Sequence, residues 1–312
     1  MLVLAFAASF VYSLATGAVT ISWQEIVTTL FSQGAGNPII FNIRLPRTLV
    51  GALVGLNLAL SGAILQSIMK SPLADPHIIG VSSGAGLAGI LILILFPHWE
   101  YLLTPVAFCG AMAATMAIYI LAWKGGIRPV RIILAGVAVS AFLGAGIAGL
   151  LVFFSDRVHG ALMWMVGGLS ARSWPHFYAM LPYTVLGSLV AFFSTRSLNV
   201  LELGDEVAAG LGLAVERTRL LLTAVAALLA ASAVSVAGLL GFVGLVVPHA
   251  ARLLIGSDYR YVLPASALLG AAVVTFSDTM ARTVFAPVEL PVGIIMAFAG
   301  APFFLYLLRR EP

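Results

Sequence analysis

A single cysteine, Cys109, rules out a disulfide framework or a thiolate metal centre, since each needs several thiols. Lysine is almost as scarce, with only Lys70 and Lys124. A Walker-type phosphate loop needs Gly-x-x-x-x-Gly-Lys-Ser/Thr, because backbone amides and the lysine together neutralise phosphate charge. Lys70 precedes Ser71 but follows Met69, and Lys124 precedes Gly125, so neither fits. The chain therefore carries no nucleotide-hydrolysing loop of that type. Charge of either sign is also thin: 9% of the 312 residues are Asp, Glu, Lys or Arg, against roughly 25% in soluble domains. The five histidines, His77, His98, His159, His176 and His249, include no i, i+4 pair of the kind that places two metal ligands on one helix face. Asp278 is the one acid inside an apolar block, so an aspartyl dyad is excluded. No Gly-x-Ser-Gly element with a plausible histidine partner is present either.

What fills the chain is apolar sequence: 61% hydrophobic residues and a mean hydropathy of +1.09. One helical crossing of the hydrocarbon core takes ~20 apolar residues. The runs are too long and too evenly apolar for barrel strands. We expect an all-α polytopic membrane protein of about ten transmembrane helices, by the same ~20-residue rule, forming one permease domain over residues 1–312. The blocks lie near 1–19, 48–69, 78–96, 101–123, 131–154, 177–195, 219–239, 241–255, 261–283 and 291–308. Residues 1–19 read as a retained first helix, and 241–255 is short and interrupted by glycine.

Between the sixth and seventh blocks, residues 196–219 (RSLNVLELGDEVAAGLGLAVERTR) hold seven of the 28 charges. A polar, helix-prone segment in such a chain is a surface for a soluble partner. Putting this loop in the cytoplasm and alternating through the blocks leaves eleven of the sixteen basic residues inside, among them Lys124, Arg128, Arg309 and Arg310. The positive-inside rule is then satisfied with both termini cytoplasmic. The pI of about 9.5 thus reflects topology and does not imply nucleic-acid binding.

The halves before and after the loop echo each other. Arg47-Thr48 opens a block that leads to Pro76-His77, and Arg217-Thr218 opens one that leads to Pro248-His249. These openings fall on opposite faces, as two inverted repeats require. Two segments match Gly-x-Gly-x-x-Gly, Gly84–Gly89 and Gly144–Gly149. Neither has the following acid that a dinucleotide site needs, so close helix packing is expected, with a pathway wall or dimer interface as the alternative. Asp278 and Arg282 are one helical turn apart, which reads either as a functional ionisable site in the membrane or as an i, i+4 ion pair that makes burial tolerable. Arg44, Arg47 and Arg282 lie at outer block ends, where an arginine either snorkels or forms a basic rim for carboxylates of a soluble partner.

The order of motifs resembles the FecCD-type permeases of ATP-binding-cassette importers. It runs through Arg44-Leu45-Pro46-Arg47-Thr48, Leu60-Ser61-Gly62-Ala63, Pro72-Leu73-Ala74-Asp75-Pro76 and Gly80-Val81-Ser82-Ser83-Gly84. Trp164-Met165-Val166-Gly167-Gly168, Gly241-Phe242-Val243-Gly244 through Pro248-His249, Glu289-Leu290-Pro291 and Gly300-Ala301-Pro302 continue it. The resemblance implies import of a ferric siderophore, haem or cobalamin across the cytoplasmic membrane by a homodimer. It further implies two cytoplasmic ATPase subunits carrying ATP–Mg, an extracytoplasmic binding protein, and no cofactor on the permease. Residues 201–219 correspond to paired coupling helices, assigning ATPase contact to Leu203, Gly204, Asp205, Glu206, Ala208, Ala209, Gly210, Leu211, Gly212 and Arg217. Binding-protein docking falls on Arg44, Arg47 and Arg282. Gly144, Gly146, Trp164, Met165, Gly167 and Gly168 are pathway or interface candidates. The rival reading is a secondary transporter driven by an ion gradient, which calls for acids near mid-membrane; Asp278 is the one candidate, and it lies toward one end of its block.

Overall fold

Leu-, Ala- and Val-rich runs with few internal breakers satisfy their backbone only as helices once removed from water. The computed structural model describes residues 1–17, 21–31, 37–123 and 129–308. Lys124, Arg128, Arg309 and Arg310, and the end of the first apolar block, lie outside the described residues. Among those described, every regular element is helical.

The order is α1 (Leu2–Ala15), α2 (Trp23–Phe31), α3 (Leu45–Met69), α4 (Val81–Leu95), α5 (Leu103–Ala122), α6 (Pro129–Phe153) and α7 (Val158–Val166). Then follow α8 (Trp174–Phe193), α9 (Thr195–Glu202), α10 (Asp205–Gly210), α11 (Val215–Ala237), α12 (Val243–Ile255), α13 (Tyr259–Thr283) and α14 (Val292–Leu308). A π-helical turn, Ile40–Arg44, runs straight into α3, making a continuous 30-residue rod. Each expected apolar block holds one helix. Among the described residues six are long and apolar enough to cross a membrane: the α3 rod, α5 with its 3-10 lead-in, α6, α8, α11 and α13. The four others, α1, α4, α12 and α14, are shorter apolar helices. Sequence reading did not anticipate α2 as a helix.

Helix α12 shows why some blocks are short. Its 13 residues rise about 20 Å, less than the ~30 Å hydrocarbon core. Residues 238–242 precede it as irregular backbone, with Gly238 and Phe242 at positive φ. Non-helical backbone at membrane depth is tolerated only inside protein. Here Ala237 accepts from the Gly168 amide at 2.8 Å, which ties the break to the linker after α7.

The core is built around α3, whose surface is covered along nearly its whole length. It packs on α13, α11, α12 and α8. At two crossings the backbones themselves touch. A Cβ on Gly55 would lie 2.1 Å from the Gly270 carbonyl oxygen of α13, and one on Gly62 would lie 1.9 Å from that of Gly244 in α12. Glycine is required there because no side chain fits between the helices. By contrast α6 and α8 leave most of their apolar surface uncovered by the chain.

Replacing Gly62 by Val should therefore separate α3 from α12. A loss of about 1–3 kcal/mol from overpacking is expected, read as a lower midpoint of thermal unfolding in detergent. An unchanged midpoint would mean that the backbones are not in contact.

Candidate functional site

Two polar clusters cap the buried core at opposite ends of α3. At the Arg44 end, Arg47 is bidentate on Asp278, with Nε donating to Oδ2 at 3.0 Å and Nη2 to Oδ1 at 2.9 Å. Its Nη1 reaches Glu289 Oε2 at 2.9 Å, and Ser170 Oγ donates to the same oxygen at 2.9 Å. Arg282 Nε lies 3.5 Å from Asp278 Oδ2. Its Nη2 donates to the Ser13 carbonyl and hydroxyl of α1 at 2.8 and 2.7 Å. Arg44 Nη1 donates to the carbonyls of Leu14 and Ala15 at 2.6 and 3.0 Å.

Arg44, Arg47, Arg282 and Asp278 are 4%, 8%, 8% and 3% exposed. The three arginines expected as an open basic rim are thus buried and held by partners within the chain, and they join α1, α3 and α13. The reason is electrostatic: a charge removed from water must be paired, and Asp278 is shared by two of them. The i, i+4 spacing foretold the Asp278–Arg282 pair. Nothing local in the sequence announced Ser13, Ser170 or Glu289 as members.

At the other end, α9 and α10 form a polar platform. Asp205, at the start of α10, takes Lys70 Nζ at 2.7 Å and two guanidinium bonds from Arg219 at 3.0 and 3.1 Å. Arg219 first, with Lys70 behind it, outweighs partial burial and holds the Asp205 carboxyl down from 3.8 to about 2. Asn199 on α9 donates to Asp258 Oδ1 at 2.8 Å and accepts from the Tyr259 amide at 2.9 Å, joining α9 to the start of α13. Ser67 of α3 donates to the Leu198 carbonyl at 3.2 Å. The platform is thereby fastened to α3, α11 and α13.

Its outer surface carries Leu203, Val207 and Leu211, exposed by 61%, 50% and 64%. Large apolar side chains on the most polar loop of a protein mark a contact surface. Glu206, Ala209, Gly210, Gly212 and Arg217 are exposed beside them, whereas Ala208 is buried against the platform. Gly204 at φ 111° and Gly212 at φ 83° turn the chain before and after α10, and a side chain there would be strained.

The remaining candidates split. Trp164 is buried over Gly89 of α4, with a Cβ there 2.7 Å from the indole ring. Gly167 and Gly168, with Met165 close by in the chain, belong to a junction where the α7–α8 linker meets the break before α12 and the start of α14. Gly293 donates to the Gly167 carbonyl at 3.1 Å. Beside this junction lies a cleft of about 650 Å³ lined by Val166, Leu239, Phe242, Ile294, Phe298 and Pro302, among others. The two glycine motifs differ: a Cβ on Gly84 would lie 2.3 Å from the Gly110 carbonyl oxygen, whereas Gly144 and Gly149 meet nothing within 4 Å. The first motif packs helices; the second opens α6 outward, with Gly146 resting on Leu87. Among the described residues no group of three His, Cys, Asp or Glu residues is placed to hold a metal ion.

A profile of the FecCD transport family matches residues 4–310. The cobalamin import system permease protein BtuC of Halobacterium salinarum is 47% identical over 272 residues, covering 87% of this chain and 73% of that protein. The Fe(3+)-citrate import system permease protein YfmD of Bacillus subtilis is 40% identical, covering 96% and 90%. The hemin transport system permease protein HmuU of Yersinia pestis is 39% identical, covering 95% and 90%. A solved metal-chelate type ABC transporter in an inward-facing conformation superposes with a TM-score of 0.89 at 29% identity, covering 99% of this chain and 97% of its own.

Two outcomes follow from the clusters. Asp278→Ala leaves two buried guanidinium groups short of their shared acid and should cost about 3–5 kcal/mol, while loss of the part-exposed Glu289 should cost about 1 kcal/mol or less. Thermal unfolding of the two variants measures the difference, and equal losses would refute it. Asp205, with a folded pKa below its unfolded value, stabilises the platform at every pH above about 4, and that contribution fades as pH falls toward about 2. Pepsin cleavage between residues 201 and 213 should rise through that window. Asp205→Asn should be cleaved readily at its upper end, and wild-type-like resistance in that variant would show that the anchor is not electrostatic.

Proposed function

Because the chain belongs to the FecCD transport family, we propose that it imports a metal chelate (a ferric siderophore, haem or cobalamin) as one of two identical permease subunits. Two cytoplasmic ATPases drive the dimer, and an extracytoplasmic binding protein feeds it. The platform's exposed Leu203, Val207 and Leu211 carry this reading, because they give a soluble ATPase an apolar grip on a rigidly fastened segment. Relatives named as permeases for cobalamin, ferric citrate and hemin support the substrate class. In the proposed arrangement ten helices cross the cytoplasmic membrane as two inverted repeats, with both termini in the cytoplasm.

ATP–Mg binds the partner subunits, and this chain holds no cofactor. Closure of the two ATPases moves α9 and α10, and the Asp205–Arg219, Asp205–Lys70 and Asn199–Asp258 contacts carry the displacement into α11, α3 and α13. The work comes from contacts that differ between the outward- and inward-open states. Leu203, Val207, Leu211, Glu206, Ala209 and Arg217 face the ATPase, while Asp205 and Ala208 hold the platform from beneath. At the opposite end, a carboxylate of the binding protein competes with Glu289, the exposed acid of its cluster, for Arg47. Arg44 and Arg282 keep the site in place.

The pathway lies between two copies of the chain. Gly144 on the open face of α6, together with the cleft beside Gly167 and Gly168, gives a smooth apolar wall. Such a wall lets a bulky chelate pass without a trapping site. Asp278 argues against an ion-driven mechanism, because a carboxylate held by both Arg47 and Arg282 is poorly placed to exchange a proton or sodium ion.

The test is ATP hydrolysis by the cognate ATPase with the permease in liposomes. Val207→Asp, or joint replacement of Glu206 and Arg217, should reduce permease-stimulated hydrolysis to the rate of the ATPase alone. Uptake driven by an ion gradient without any ATPase would overturn the proposal.

A further inference from the structure

Helices α5 and α8 each pack on α11 and leave a gap between themselves. The gap is a groove of about 740 Å³ with Ser232, Ser235 and Val236 of α11 as its floor. Thr104 and Phe108 form one wall, and Tyr178, Ala179 and Tyr183 the other. The floor hydroxyls make no demand on a ligand: Ser232 donates to the Leu229 carbonyl at 2.8 Å and Ser235 to the Ser232 carbonyl at 3.1 Å. Phe108 and Tyr183 meet with ring centroids 4.9 Å apart deep in the groove. From Trp174 to Tyr183 the α8 wall rises about 13 Å, close to half of the ~30 Å hydrocarbon core. Tyr101 and Tyr178 stand exposed at its mouth, the side chains that favour a headgroup boundary.

Arg172 sits at the same mouth. Its Nη1 lies 3.3 Å from His176 Nε2, and its Nε is buried without a hydrogen-bond partner. Among the described residues no carboxylate reaches it at ion-pair distance; Glu100 acts on it only through its field, which offsets part of the cost of burial. The other arginines of that end, Arg44, Arg47, Arg157 and Arg282, are all engaged within the chain. Arg172 is a half-buried cation lacking an anion, placed where an apolar groove opens at the membrane boundary.

We propose that this groove is a phospholipid site, with an acyl chain between α5 and α8 and the headgroup phosphate on Arg172. A phosphodiester supplies the anion that the Arg172 guanidinium lacks, since its Nη1 meets only the neutral acceptor His176 and its Nε meets none, and the chain covers apolar surface that the protein leaves open. The lipid belongs to the extracytoplasmic leaflet; only that leaflet assignment rests on the proposed orientation, since lipid retention needs no transport. Cys109, exposed in the groove wall, reports occupancy as the one thiol of the chain.

Full-length permease is purified and supplied with phosphatidylglycerol, with diacylglycerol of the same chains, or with inorganic phosphate. Retention is read by native mass spectrometry. Phosphatidylglycerol should be retained and should slow alkylation of Cys109 by N-ethylmaleimide, while diacylglycerol and free phosphate should do neither. Arg172→Gln should weaken retention about tenfold, the loss of one charge-assisted hydrogen bond. Ala179→Phe, which fills an exposed position in the wall, should abolish both effects. Equal retention by wild type and both variants would overturn the proposal, as would protection of Cys109 by diacylglycerol alone. An Arg172→Gln variant that keeps its lipid but loses capture of the binding protein would overturn it too, by making Arg172 a protein contact.

Discussion

The contact of backbone against backbone along α3, where Gly55 meets Gly270 and Gly62 meets Gly244, sets the terms for the rest. Lipid tails are as apolar as the helices themselves, so burial alone does not drive helices together in a membrane. Small residues at the crossings bring α3 within van der Waals range of α13 and α12. That contact turns three helices into one body with α3 along its axis.

The ends of this body are where charge is admitted. Arg44, Arg47, Asp278 and Arg282 close one end, and Lys70, Asp205, Arg219, Asn199 and Asp258 close the other. Each set is made of side chains from helices distant in sequence, so a shift of one helix is felt by its partners. The wall formed by α6, α8 and α14 is looser and leaves apolar faces free for lipid or a second copy. A rigid axis within a wall able to adjust suits the proposed switch of open side, made without losing the core.

Hydropathy made the helices legible. The block 131–154 is α6, Pro129–Phe153, and 261–283 is α13, Tyr259–Thr283, each within two residues. Local spacing made the Asp278–Arg282 pair legible as well. Partners without a local signal were not legible: Arg47 and Asp278 are 231 positions apart, and no pattern in one sequence encodes such a meeting. For the same reason the two glycine motifs looked alike, although Gly84 packs on Gly110 and Gly144 faces open space. The arginines at the Arg44 end were placed correctly at helix ends, yet their burial depended on acids and carbonyls that only the fold brings near.

The central claim is that the α9–α10 platform moves together with α3, α11 and α13 as one body. Spin labels at Ala209→Cys and Tyr261→Cys, with Cys109 replaced by Ala, test it in the complete transporter with and without nucleotide. The account predicts that the distance within one chain stays constant while the Ala209 labels of the two copies change separation. A change in the distance within one chain, with the separation between copies fixed, would contradict it.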